Sequence, residues 1–171
     1  MDTKYLYLII CLILASCTPK SEVEVRFNEV VLLKNSNLRK VDKILTKPGK
    51  YYIDEKLEII RYDLKQKEER ENFVVKNLEG NKGHVYTTYR FAPIAAKIEN
   101  LEDEIGKNYN QHIIKPELRN AVRKLFESAN KLDNKTLNEI QNQSFESLDS
   151  ILRNKYIRIT YLSIDSIKNC P

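Results

Sequence analysis

Reactive chemistry in this chain would have to be assembled from few parts: three cysteines, two histidines and four glycines in 171 residues. Cys17 stands apart from the other two thiols, because it follows Leu14-Ala15-Ser16 at the end of a mostly apolar run that opens at Tyr5. That run has about eleven residues, whereas a helix that crosses a bilayer needs about twenty. A basic start at Lys4, a short apolar core and a finish in small residues make the pattern of a secretory signal peptide. His84 and His112 belong to neither a His-Glu-x-x-His nor a Cys-x-x-Cys spacing, so no metal site is expected. His84 reads as a strand-face residue, and His112, beside Asn110 and Gln111, as a surface or capping residue at a helix start. None of Gly49, Gly80, Gly83 and Gly106 forms a glycine-rich turn that opens a helix, which leaves a nucleotide phosphate without a cradle. Glu99, Glu102, Asp103 and Glu104 are of the type that acid–base catalysis uses in pairs, yet they alternate with Ile98, Leu101 and Ile105 as the polar side of an amphipathic helix. No Gly-x-Ser-x-Gly elbow occurs, and a triad of distant Ser, His and Asp is a question that spacing leaves open. The expectation is a protein with no catalytic residue and no cofactor.

The segment Leu14-Ala15-Ser16-Cys17 resembles the lipobox of bacterial lipoproteins. The resemblance implies diacylglycerol on the Cys17 thiol, cleavage just before that residue and acylation of the freed amine. Residues 1–16 are then a cleaved signal peptide, 17–24 a lipidated polar tether and 25–171 the domain. Several acyl chains, at about 0.8 kcal/mol per buried CH₂, make such an anchor effectively permanent. Thr18 stands where enterobacterial lipoproteins kept at the inner membrane commonly carry Asp, which favours the outer membrane. An ordinary secretory signal with a chance cysteine, or a buried amphipathic helix, is the competing interpretation. After processing, Cys170 is the single thiol left, to pair between chains or to stand as a plain tail residue.

The elements that must carry these residues follow from length and periodicity. At 171 residues, with 42% apolar and 31% charged side chains, the chain is bounded to one ordinary domain with a core of its own. Val23, Val25 and Phe27 alternate, Val30 to Leu33 is a continuous apolar run, and Leu57 to Leu64 follows a Pro48-Gly49 turn, which reads as strands. Phe73 to Leu78 and His84 to Phe91 read as a hairpin, with Val85, Thr87, Tyr89 and Phe91 on one face. From Pro93 the period changes to about 3.6. A first helix, with Pro93 in its first turn, runs to Gly106, and a second aligns Tyr109, Ile113, Leu118, Val122, Leu125 and Phe126 with a break at Pro116. A third opens on the capping box Thr136 to Glu139 and turns Leu137, Ile140, Phe145, Leu148 and Ile151 inward. A last strand, Tyr156 to Ile167, places Ile157, Ile159 and Tyr161 on one side. The fold class is α+β: antiparallel strands, about three helices and a closing strand.

Local wording narrows this further. Tyr89-Arg-Phe, the helix from Ile98 to Gly106, Tyr109 with Ile113-Ile-Lys-Pro116, and Leu118-Arg-Asn-Ala-Val-Arg123 together resemble the prohibitin, band 7 or SPFH family. Lys47-Pro48-Gly49-Lys-Tyr-Tyr-Ile53 and Tyr62 to Gln66 resemble its earlier turn and strand. The resemblance implies membrane organisation, association with membrane proteins or with copies of itself and, in some relatives, control of a membrane-bound ATP-dependent protease. Two departures count against direct transfer: Glu24 to Leu33 lacks the opening glycine, and the chain stops at Pro171, where the family's coiled coil would begin.

The charge balance is +5 and the isoelectric point about 9.0. Arg39, Lys40, Lys43, Lys47 and Lys50 form one basic segment, and Lys115, Arg119, Arg123 and Lys124 a second. Nucleic acid is the partner usually considered for such patches. An exported, lipid-held domain instead meets anionic head groups, where each basic residue contributes about 1 kcal/mol. The first segment is therefore the candidate membrane-surface contact, with plain solvated charge as its alternative. The function expected is a non-catalytic scaffold or partner-binding lipoprotein of the cell envelope. Its rivals are a monomeric lipid-anchored recognition module of an unrelated family and a hydrolytic enzyme.

Overall fold

The computed structural model describes residues 20–38, 40–129 and 134–169. The chain forms two compact units that divide between Arg61 and Tyr62, where its length alone implied a single core. Length bounds how much surface can be buried but says nothing about how strands partition it. In the first unit both sheets are built from strands between Lys20 and Asp63, so that stretch closes a small core of its own.

That unit comprises β1 (Lys20–Val25), β2 (Glu29–Asn35), β3 (Lys40–Leu45), β4 (Gly49–Asp54) and most of β5 (Leu57–Asp63). β1 pairs antiparallel with β4, and a second sheet has the order β3-β2-β5. Val23 and Val25 of β1 pack with Val31, Leu33, Leu45 and Ile53, and the partly buried Tyr51 and Leu57 close this cluster. Fully burying such side chains is worth about 1.5–3 kcal/mol each. β1 begins at Lys20, inside the stretch read from sequence as a tether, because the alternation that ends in Val23 and Val25 starts there and β4 supplies the matching hydrogen bonds. Val30 to Leu33 are all buried, as a continuous apolar run requires.

The second unit carries a three-stranded antiparallel sheet of β6 (Lys67–Lys76), β7 (Lys82–Pro93) and β8 (Ile157–Asn169), with β7 central. Between β7 and β8 come α1 (Ile98–Glu104), α2 (Lys115–Glu127) and α3 (Asn134–Arg153). α2 packs on β6, α3 on β8, and the two helices on each other. The fold class is thus α+β. Val85, Thr87, Tyr89 and Phe91 all point into the helix-covered face.

Several local expectations change in detail. β6 starts at Lys67, well before Phe73, because Lys67 to Asn72 are polar and show no apolar alternation, yet each pairs with a residue of β7. Pro93 ends β7 opposite Ile157 and does not open a helix. A β-bulge at Thr160 puts Ile159 against Phe91 and Tyr161 against Arg90. The extra residue turns Tyr161 to solvent and Leu162 into the core, against the strict alternation expected there. α3 begins at Asn134, so Thr136 lies within the helix instead of capping it, and Ser144 and Leu152 join Ile140 and Leu148 on its buried stripe.

Before Pro116 the chain makes a π-helical turn, Asn110–Ile114, and the Lys115 N–H donates to the Asn110 carbonyl. The wider turn moves the inward position from Ile113 to Ile114, five residues after buried Tyr109. Pro116, which has no N–H to give, then sits without a break in the first turn of α2. α1 ends as the sequence indicates: Gly106 adopts φ +80°, and its N–H and that of Ile105 both donate to the Leu101 carbonyl, at 2.8 and 3.1 Å.

Candidate functional site

The first basic segment is spread over two sheets. Lys40 and Lys43 lie exposed on β3, Lys47 in the turn that follows, and Lys50 on β4. Lys50 Nζ is 2.8 Å from Glu22 Oε1 across the β1–β4 pair, and that hydrogen bond holds its ammonium above the usual lysine range. Cys17 and Arg39 lie outside the described residues. The same unit exposes Phe27, Leu38 and Tyr52, the last beside Glu22 in the β1–β4 register.

The second basic segment is tied to the sheet. Glu71, whose side chain is 9% exposed, receives Arg119 Nε at 3.0 Å, a second and shorter bond from Arg119 Nη2, and Lys115 Nζ at 3.4 Å. One turn on, the Arg123 guanidinium lies over the Phe73 ring at 5.6 Å and its Nε donates to the Val74 carbonyl at 3.1 Å. The helical spacing 115, 119, 123 aligns these cations along one side of α2, facing β6. Of the acidic set on α1, Glu102 accepts from the Tyr62 hydroxyl at 2.7 Å and Glu104 from Tyr156. Burial first, then Glu102, raises Tyr62 well above an ordinary phenol, and burial with nearby Asp63 pushes Tyr109 up to about 12. Tyr89 donates to Asn110 Oδ1 at 3.0 Å, and burial raises its pKa as well. Tyr62 and Tyr89 remain neutral donors at physiological pH and fix α1 and the π turn to their neighbours.

The opposite face of the β6–β7–β8 sheet is polar and turned to solvent. A row of cross-strand pairs runs along it: Glu68 with Arg90 at 2.7 Å, and Arg90 over Tyr161 at 5.0 Å. Beyond this row lies an open depression of about 320 Å³ lined by Arg70, Glu71, Asn72, Tyr86, Asp165 and Ser166 among others. Asn72 and Ser166 flank Tyr86 in register. A second bulge makes the site: Tyr86 pairs with Ser166 and Thr87 with Ile164, so Asp165 is the extra residue and both Asp165 and Ser166 reach the depression. Asp165 Oδ2 accepts from the Thr88 hydroxyl at 2.6 Å, which fixes its direction.

Neither histidine lines this depression. His84 is exposed at the end of the same face, paired in register with Val74 and Lys168, and His112 is exposed on the π turn. None of Arg70, Asn72, Tyr86, Asp165 and Ser166 stands out in sequence as a site residue. The alternation of β7 places Tyr86 opposite Val85 and Thr87 and was a usable signal, but nothing local foretells a bulge in β8. Among the described residues no group of three His, Cys, Asp or Glu side chains is arranged to hold a metal ion, and no helix is long and apolar enough to cross a membrane. No protein-family model matches the chain, and no curated protein matches it.

Proposed function

We propose that this chain is a lipid-anchored, non-catalytic binding module of prohibitin-like build, held at a bacterial envelope membrane through acylated Cys17, with the outer membrane as its site. Its role is to scaffold or bind membrane proteins, including other copies of itself or a membrane protease. The observation that carries the reading is the position of β1, which begins at Lys20, three positions after Cys17. Three residues span at most about 11 Å, so an anchor there keeps the first unit beside the head groups. Lys40, Lys43 and Lys47 supply the attraction to anionic lipid, and Lys50 adds least because Glu22 already pairs with it. Tyr89-Arg90-Phe91 on β7, the helix ending at Gly106 and Leu118 to Arg123 on α2 support the family reading by matching its wording with its expected elements.

The test is Cys17→Ala in the full chain. The variant should lose globomycin-sensitive processing, the lipid mass on the mature N-terminus and membrane fractionation. Normal processing and retention would refute the anchor. Light scattering of the detergent-solubilised chain after size exclusion then separates scaffold from monomer. A specific observation, the depression on the outer face of β6–β7–β8, favours the second reading, a recognition module with the same anchor.

A further inference from the structure

Each residue that lines the depression on the outer sheet face carries a polar or charged side-chain group. Its groups are also largely unused. Among the described residues Arg70 makes no ion pair, and the Asn72 amide and the Tyr86 and Ser166 hydroxyls make no hydrogen bond, whereas Glu71 beneath them is engaged by Lys115 and Arg119. Asp165 spends one carboxylate oxygen on Thr88 and keeps the other. Lys168 Nζ sits over the Tyr86 ring at 5.4 Å, at the rim of the same face. The inventory is one planar cation suited to a carboxylate, a second cation at the edge, and an amide, a carboxylate oxygen and two hydroxyls suited to vicinal hydroxyls.

We propose that this depression binds an acidic sugar, with the sugar carboxylate on Arg70 and ring hydroxyls on Asn72, Asp165 and Ser166. A volume of about 320 Å³ holds one or two sugar rings and no more, and an open, shallow mouth lets a longer glycan continue along the sheet. A bare anion accounts for Arg70 alone and leaves the amide, the carboxylate and the hydroxyls idle. A neutral sugar leaves Arg70 idle. The bulge at Asp165 fits the same reading, since it adds a second polar side chain to the site at the expense of one ladder pairing. The proposal stands on the second unit alone and does not depend on the anchor at Cys17.

The experiment is a titration of the full chain in detergent micelles, followed by ¹H saturation-transfer NMR and calorimetry. The probes are D-glucuronate, a short glucuronate-containing oligosaccharide, D-glucose, acetate and inorganic phosphate. Glucuronate should bind saturably with a dissociation constant on the order of 1 mM, the range that an ordinary yield per heavy atom gives one sugar ring, and the oligosaccharide more tightly. Arg70→Ala should weaken both at least tenfold, and Asn72→Ala should weaken them severalfold, with the thermal midpoint of each variant unchanged. Glucose and acetate should each bind at least tenfold more weakly than glucuronate. Absence of saturable binding overturns the proposal. So does equal binding of acetate or phosphate, which would mark a surface arginine that takes any anion, and so does glucuronate binding that survives Arg70→Ala.

Discussion

On α2, Lys115 and Arg119 converge on Glu71, and Arg123 lies over Phe73 while it donates to the Val74 carbonyl. On β3 and the turn after it, Lys40, Lys43 and Lys47 have no such partner among the described residues, and Lys50 alone meets a carboxylate, that of Glu22. The two stretches are nearly alike in composition. They differ in what stands opposite. α2 repeats its cations every four residues and lies along β6, which presents one buried acid and one aromatic ring at the matching height. β3 pairs only with β2, which sets Leu33 opposite Lys43 and Asn35 opposite Lys40 and offers no carboxylate in register. A basic run is therefore structural where a neighbouring element supplies a desolvated acceptor, and remains available to an outside partner where none does.

Glu71→Ala breaks the contrast most directly, since it leaves Lys115 and Arg119 without their acceptor. Denaturant unfolding should show a loss of roughly 2–3 kcal/mol, below the range for a fully dry pair because the Arg119 side chain is 40% exposed. A loss under half that size would mean the clamp is no stronger than a surface pair. A smaller effect, confined to alkaline solution, comes from the neighbouring tyrosines. Tyr109 is pushed up to about 12, so near pH 10 the unfolded chain gives up that proton while the folded chain keeps it. Stability is then complete below pH 10 and declines from there to pH 12. Tyr109→Phe should flatten that part of the urea midpoint plotted against pH, and an unchanged slope would contradict the burial of its hydroxyl.

Arg123→Ala should cost about 1 kcal/mol, from the lost cation–π contact and one hydrogen bond, and a thermal melt resolves it. Lys43→Ala should shift stability by less than about 0.5 kcal/mol. Its consequence is sought elsewhere: with the proposed anchor removed by Cys17→Ala, flotation of the full chain on vesicles rich in acidic lipid should weaken when Lys40, Lys43 and Lys47 are replaced together by Ala. Flotation indifferent to acidic lipid, to salt and to that triple replacement would remove the membrane role of the segment.

Much of the helix-covered face was legible beforehand. Val85, Thr87, Tyr89 and Phe91 alternate in sequence and are buried together, and Leu118, Val122 and Phe126 recur at helical spacing and do the same. The candidate site on the other face was not. Arg70 and Asn72 belong to a polar strand held by backbone pairing with β7, and hydropathy carries no trace of such pairing. Glu71 is the clearest instance: as one acid in Lys-Glu-Glu-Arg-Glu-Asn it reads as solvated, and only α2 makes it the buried acceptor of two cations.

By itself the sequence determined the α+β class, the buried faces of the main elements, the stop at Gly106 and the lipobox-like motif at Cys17, because each is a pattern within a few neighbouring residues. Tertiary structure alone decided the division at Arg61 and Tyr62, the π turn before Pro116, and the bulges that send Tyr161 outward and bring Asp165 beside Ser166. Those features depend on register against a second strand or packing against a second helix. Such contacts join residues far apart in the chain, and no local period encodes them.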